Sequence, residues 1–141
     1  MLRIYRRRRL RRRRPTTVTK HYQTHKEAAR ELVLARLAQH NEHYGFRWGR
    51  VAIRNQRRCW GSCSSLGNLN FNYKIYFLPP HLQDYIVVHE LCHLAELNHG
   101  PRFWSLVAER IPDYRERQAE LRALDRAGHA VATIEWWRHH H

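Results

Sequence analysis

The sequence predicts an α+β fold in which a small antiparallel sheet packs against helices and one strongly apolar helix lies buried between them. Three observations carry that reading. Residues 82–97 form a long run with apolar residues at helical spacing. Residues 50–54 and 69–73 are short alternating stretches flanked by the turn residues Asn55-Gln56 and Gly67-Asn68. Helix start and stop signals punctuate the remainder, with Thr24/Glu27 and Asp113/Glu116 as capping boxes and Gly45, Pro112 and Gly128 as breaks.

Taken in order, residues 1–15 are an arginine-rich N-terminal arm, a short strand at most, which Pro15 ends. The Thr24 capping box opens a first helix over 25–43, where Ala28, Leu32, Leu34, Ala35 and Ala38 recur at helical spacing. Residues 50–54 suit a strand, and 57–65 a strand end running into a tight loop through Trp60-Gly61-Ser62-Cys63. Residues 69–73 make the partner strand, with Asn70 and Asn72 facing away from the core. Pro79-Pro80 opens the central helix over 81–97, since proline tolerates the first turn, and Gly100-Pro101 breaks the chain after it. Phe103-Trp104 and Leu106-Val107 pack a short third helix. The Asp113/Glu116 box opens a charged fourth one, whose Arg115, Arg117 and Arg122 read as a solvated face of paired charges. The expected organisation is one domain over 16–128 between the arm 1–15 and a tail 129–141. That tail holds Trp136-Trp137 and ends in His139-His140-His141, which is set aside as a tag remnant.

The chemistry is concentrated at 89–99, His-Glu-Leu-Cys-His-Leu-Ala-Glu-Leu-Asn-His. His89 and His93 are four residues apart, so on a helix both imidazoles leave the same face within reach of one metal ion. Two neutral imidazoles hold zinc, the metal acidifies a water, and the Glu90 carboxylate takes the water's proton. Two residues compete for the third ligand position. Glu96 is seven residues after His89 and faces the same side of a continuous helix. His99 reaches the site only if the helix stops and the chain turns back, which Asn98 in the left-handed conformation and Gly100-Pro101 would arrange. A three-histidine site has the advantage of leaving Glu90 free as base. Tyr73, Tyr85, Tyr114 and Arg58 are the donors available by type for a developing oxyanion, and spacing selects none of them.

Composition bounds the rest. At 141 residues with 43% apolar content and five Trp, the chain suits a single core. No run of 18 apolar residues exists and the charged N-terminus lacks a signal-peptide core, so a cytoplasmic, non-membrane protein is expected. Cys59, Cys63 and Cys92 are an odd set that suits a reducing compartment, and Cys59/Cys63 read as packed thiols rather than a second metal site. The net charge is +14, and nine arginines between residues 3 and 14 account for most of it. Subtracting those nine from 26 Lys+Arg leaves 17 against 12 Asp+Glu. Such an arm suits phosphate backbones, with affinity that falls as salt rises.

Arg58-Cys59-Trp60-Gly61-Ser62-Cys63, Gly67-Asn68-Leu69, Leu78-Pro79, residues 85–94, Asn98-His99 and Phe103-Trp104 together resemble the YgjP-like metallopeptidase domain, a relative of the SprT-like domains. The order and spacing are collinear over roughly residues 20 to 125. The resemblance implies a zincin-like fold, one metal ion on His89, His93 and His99, Glu90 as base, and a protein or peptide substrate. The sequence itself leaves nickel, cobalt and manganese beside zinc as the ion. The resemblance also implies a longer β-rich N-terminal segment, where this chain has the arginine stretch. The rival function is a nucleic-acid-binding module in which the arm and the tryptophans grip a backbone and a metal only braces the fold. Glu90 discriminates the two, because a structural site has no use for it.

Overall fold

The structure is a computed structural model that describes residues 17–56 and 59–127. The arginine arm, Arg58, the Trp136-Trp137 pair and the terminal histidines lie outside the described residues. Helix α1 spans Thr17–Tyr44, strand β1 Val51–Arg54, β2 Gly61–Cys63 and β3 Leu69–Asn72. A 3₁₀ turn, Tyr73–Phe77, leads to α2 (Pro80–Cys92), α3 (Pro101–Arg110) and α4 (Tyr114–Ala127). The α+β architecture and the small sheet are as the sequence predicts. No described helix is long and apolar enough to cross a membrane.

α2 is the helix around which the domain is built. Leu82, Val87, Val88, Leu91 and Cys92 are fully buried and Tyr85 and Ile86 nearly so, and only Pro80 and His81 in the first turn of the helix are exposed. Each fully buried aliphatic side chain contributes about 1.5–3 kcal/mol. α1 covers one flank of α2, α3 and α4 another, and β2 lies against it. Gln83, also buried, donates its Nε2 to the carbonyls of Ile75 and Tyr76 at 3.0 and 3.3 Å and so satisfies the end of the 3₁₀ turn.

The sheet departs from expectation first in its pairing. Its order is β1-β3-β2, with β2 antiparallel to β3 but β1 parallel to it, Ile53 opposite Phe71. β3 is therefore the central strand, with β1 and β2 at its two sides. A Ser64–Gly67 turn closes the β2-β3 hairpin, with Gly67 at φ +80, a conformation other residues rarely adopt. Asn72, expected to face outward, is buried. Its Oδ1 accepts from the Lys74 amide at 3.1 Å and its Nδ2 donates to the Gln56 and Cys59 carbonyls at 2.7 and 3.2 Å, so it caps the 3₁₀ turn and anchors the preceding loop.

α1 begins eight residues before the predicted start. Thr24 does not cap it but donates Oγ1 to the Lys20 carbonyl one turn back, a mid-helix bond. The extra turns pack with rings rather than aliphatic residues: Tyr22 donates to the Ile53 carbonyl at 2.8 Å and His21 lies 5.1 Å from Phe77 between ring centroids. Farther along, Asp84 of α2 ties α1 down. Its Oδ1 accepts from Arg36 at 3.0 Å and from His40 Nε2 at 2.9 Å. Arg110 donates to His40 Nδ1, which fixes the imidazole proton on Nε2.

Asp84→Ala is expected to cost about 1–3 kcal/mol, because it strands the buried His40 donor and removes the Arg36 partner; urea unfolding measures it. Burial works to raise the Asp84 carboxyl, but the His40 hydrogen bond and the Arg36 charge outweigh it and hold it below the usual range. A lowered folded-state pKa makes this contribution complete above about pH 4, the unfolded value, and diminishes it as pH falls through the folded one. The stability difference between wild type and Asp84→Ala should therefore shrink in acid.

Candidate metal centre

His89 and His93 come from the last turn of α2 and its cap. The helix ends at Cys92, five residues before the predicted end: the Leu94 and Ala95 amides bond the Leu91 and Cys92 carbonyls three residues back, tightening the chain into a turn. This turn, rather than a left-handed Asn98, brings the chain round, for no described residue other than glycine has positive φ. Gly100 and Pro101 then start α3, as a breaker should.

The three imidazoles converge. Nε2 of His93 lies 3.2 Å from that of His89 and 2.9 Å from that of His99, and the His89–His99 separation is 3.2 Å. An ion bound tetrahedrally at about 2.0–2.1 Å from each nitrogen needs edges of about 3.3 Å, so the residues fit such an ion. His93 Nδ1 lies 2.9 Å from the Glu96 carbonyl, which can only accept. The proton is therefore on Nδ1, and the Nε2 lone pair points to the common centre. Glu96 thus takes part through its backbone, and its carboxylate is not in the cluster. Among the described residues this is the one group of three potential ligands so placed. Cys59 and Cys63 join no such group; their thiols meet Gln56 Oε1 and the Ser64 carbonyl.

Burial keeps His89 and His93 neutral. Burial, then the neighbouring His93 and His99, push His89 down to about 3, and burial lowers His93 too. Neutral imidazole is the ligating form. Glu90 is 5% exposed, its Oε1 is 3.9 Å from His89 Nε2, and its buried Oε2 has no hydrogen-bond partner among the described residues. Burial pushes this carboxyl up to about 8. A group in that range accepts and returns protons near neutral pH.

Two residues that sequence reasoning did not assign shape the centre. Phe103, fully buried, stacks on His93 at 4.3 Å between centroids and stands edge-on to His89 and His99 at 4.9 and 5.0 Å. One ring therefore orients all three imidazoles. The sequence signal was its place just after the Gly100-Pro101 breaker, which read only as packing. Gly61 is the other: a Cβ there would lie 2.9 Å from Glu90 Cγ and 3.1 Å from the Asn70 carbonyl oxygen. The glycine of the Trp60-Gly61-Ser62-Cys63 loop makes room for the Glu90 side chain, a contact no spacing rule reveals.

The candidate oxyanion donors separate. Tyr73 is fully buried against His21, far from solvent. Tyr85 lines a cavity with His89 and Glu90, and burial pushes its phenol up to about 12, so it stays a donor. Tyr114 stacks on Trp104 and lines a second cavity with His99. β3 is paired on both sides, so the sheet's edges are β1 and β2, and β2 is the edge strand that lies against α2.

A family model described as YgjP-like, metallopeptidase domain, matches residues 4–124. The fold is similar to that of the metallopeptidase zymogen of Pyrococcus abyssi abylysin, with 23% identity, a TM-score of 0.58 and coverage of 63% of this chain and 90% of that one. It is also similar to the metallopeptidase zymogen of Methanocaldococcus jannaschii jannalysin, with 20% identity, a TM-score of 0.53 and coverage of 71% and 97%. No curated protein matches the chain.

Proposed function

Because the chain belongs to the YgjP-like metallopeptidase family, we propose that it cleaves peptide bonds with zinc held by His89, His93 and His99 and with Glu90 as the general base. The observation that carries this reading is the buried Glu90 carboxylate: its Oε1 lies 3.9 Å from the Nε2 of His89, one of three converging nitrogens, and its Oε2 has no hydrogen-bond partner among the described residues. A structural metal in a nucleic-acid-binding module has no use for that carboxylate. When bound, the divalent ion supplies Lewis acidity, which makes a water easier to deprotonate and a carbonyl easier to attack.

The chain's own residues do the rest. Glu90 takes the water's proton and then gives it to the leaving amine. β2, the sheet edge beside Glu90, offers unpaired backbone groups to an extended substrate, which adds as a further strand. Tyr85, which lines a cavity with His89 and Glu90, and Tyr114, which lines one with His99, are the candidate donors toward the oxyanion. Cleavage of unfolded casein by zinc-loaded protein, lost on chelation, tests the reading. Casein left intact under those conditions contradicts it.

Gly61→Ala separates the base from the metal. The added methyl cannot displace the Asn70 backbone, so Glu90 must move. Peptide hydrolysis is expected to fall about 10- to 100-fold, in line with the cost of a displacement of about 1 Å in a catalytic group. Zinc content should not change. Equal loss of zinc and activity would show that Gly61 supports the whole site rather than Glu90.

A further inference from the structure

The cavity beside Glu90 has a volume of about 210 Å³ and lies between α2, α4 and the start of β2. Drug-sized ligands occupy pockets of about 300–1,000 Å³, so this one suits a single side chain. Trp60, Tyr85, Ile86 and Leu121 form its walls. Ile86 and Leu121 are 3% and 8% exposed, and the Trp60 indole is pinned by donation to Asp125 Oδ1 at 2.9 Å. The walls are therefore preorganised and largely apolar. Arg122 and Asp125 share the rim three residues apart on α4, and their opposite charges leave no net sign with which to choose a charged residue.

Direction follows from Glu90, which lines the same cavity. In the proposed reaction Glu90 protonates the leaving amine, so the residue that carries this amine sits nearest the cavity. Resting on that reading, we propose that the cavity receives the side chain of the residue immediately after the cleaved bond and selects leucine, methionine or phenylalanine. Leu121 sets its depth, and Gln118, one turn earlier on α4 and half-buried, sets its mouth.

The test is digestion of a peptide library by zinc-loaded full-length protein, with product termini read by mass spectrometry. Large apolar residues should be favoured after the cut by at least about tenfold over alanine and aspartate, the scale on which apolar pockets discriminate. Gln118→Trp should shift the preference to alanine and glycine, and Leu121→Ala should extend it to tryptophan. Gln118 is not in the core, so its variant keeps the test open if Leu121→Ala fails to fold. A preference confined to the residue before the cut, no preference, or a profile that Gln118→Trp leaves unmoved overturns the pocket assignment and leaves the peptidase reading standing. No cleavage of any peptide by zinc-loaded wild type overturns both.

Discussion

Replacing Glu90 by glutamine is expected to lower peptide hydrolysis by at least about 100-fold, while zinc content and fold are retained. Glutamine matches glutamate in size, so the contact with Gly61 survives. Its amide still hydrogen-bonds water but cannot accept the proton that attack must shed. A positioned general base is worth roughly 10²- to 10⁴-fold, which sets the expected loss. Metal affinity should hold because the three converging Nε2 atoms come from histidines alone and the nearer Glu90 oxygen is 3.9 Å from His89. Casein cleavage and zinc content measured on the same samples check it. A variant as fast as wild type removes Glu90 from the chemistry.

His99→Ala is expected to weaken zinc binding by more than about 100-fold and to abolish cleavage. Loss of an outer-shell partner costs 10- to 100-fold, and loss of a direct ligand should exceed that. His99 arrives from outside the helix and is exposed, so the fold should survive its removal. Glu96→Ala is the control: its backbone carbonyl, which holds His93 Nδ1, remains, and zinc binding should change little. Metal analysis should use protein purified without an immobilised-metal column, given the three terminal histidines. Zinc lost by Glu96→Ala and kept by His99→Ala would reverse the ligand assignment.

The two variants probe parts of the centre that were unequally legible in the sequence. The pairing of His89 with His93 follows from the helical repeat alone. The return of His99 was legible as a consequence and not as a route. Leu94, Ala95 and Glu96 are strong helix formers, and propensity gave no reason for α2 to stop at Cys92; packing on Phe103 and the Glu96 carbonyl did. Likewise the sheet's strands were visible in their alternation, but the parallel pairing of β1 with β3 depends on where a loop passes, which no local pattern encodes. Asn72 read as an outward-facing strand residue because alternation cannot see a cap. Gly61 and the cavity near Leu121 are meetings of segments distant in sequence, invisible until the chain is folded.

The most direct measurement is a titration of metal-free protein with zinc, in which bound zinc and casein hydrolysis are followed in the same sample. The account requires hydrolysis to rise in proportion to bound zinc, to level at one equivalent per chain, and to vanish when a chelator removes the ion. Zinc bound at one equivalent without hydrolysis, or hydrolysis indifferent to the chelator, would contradict it.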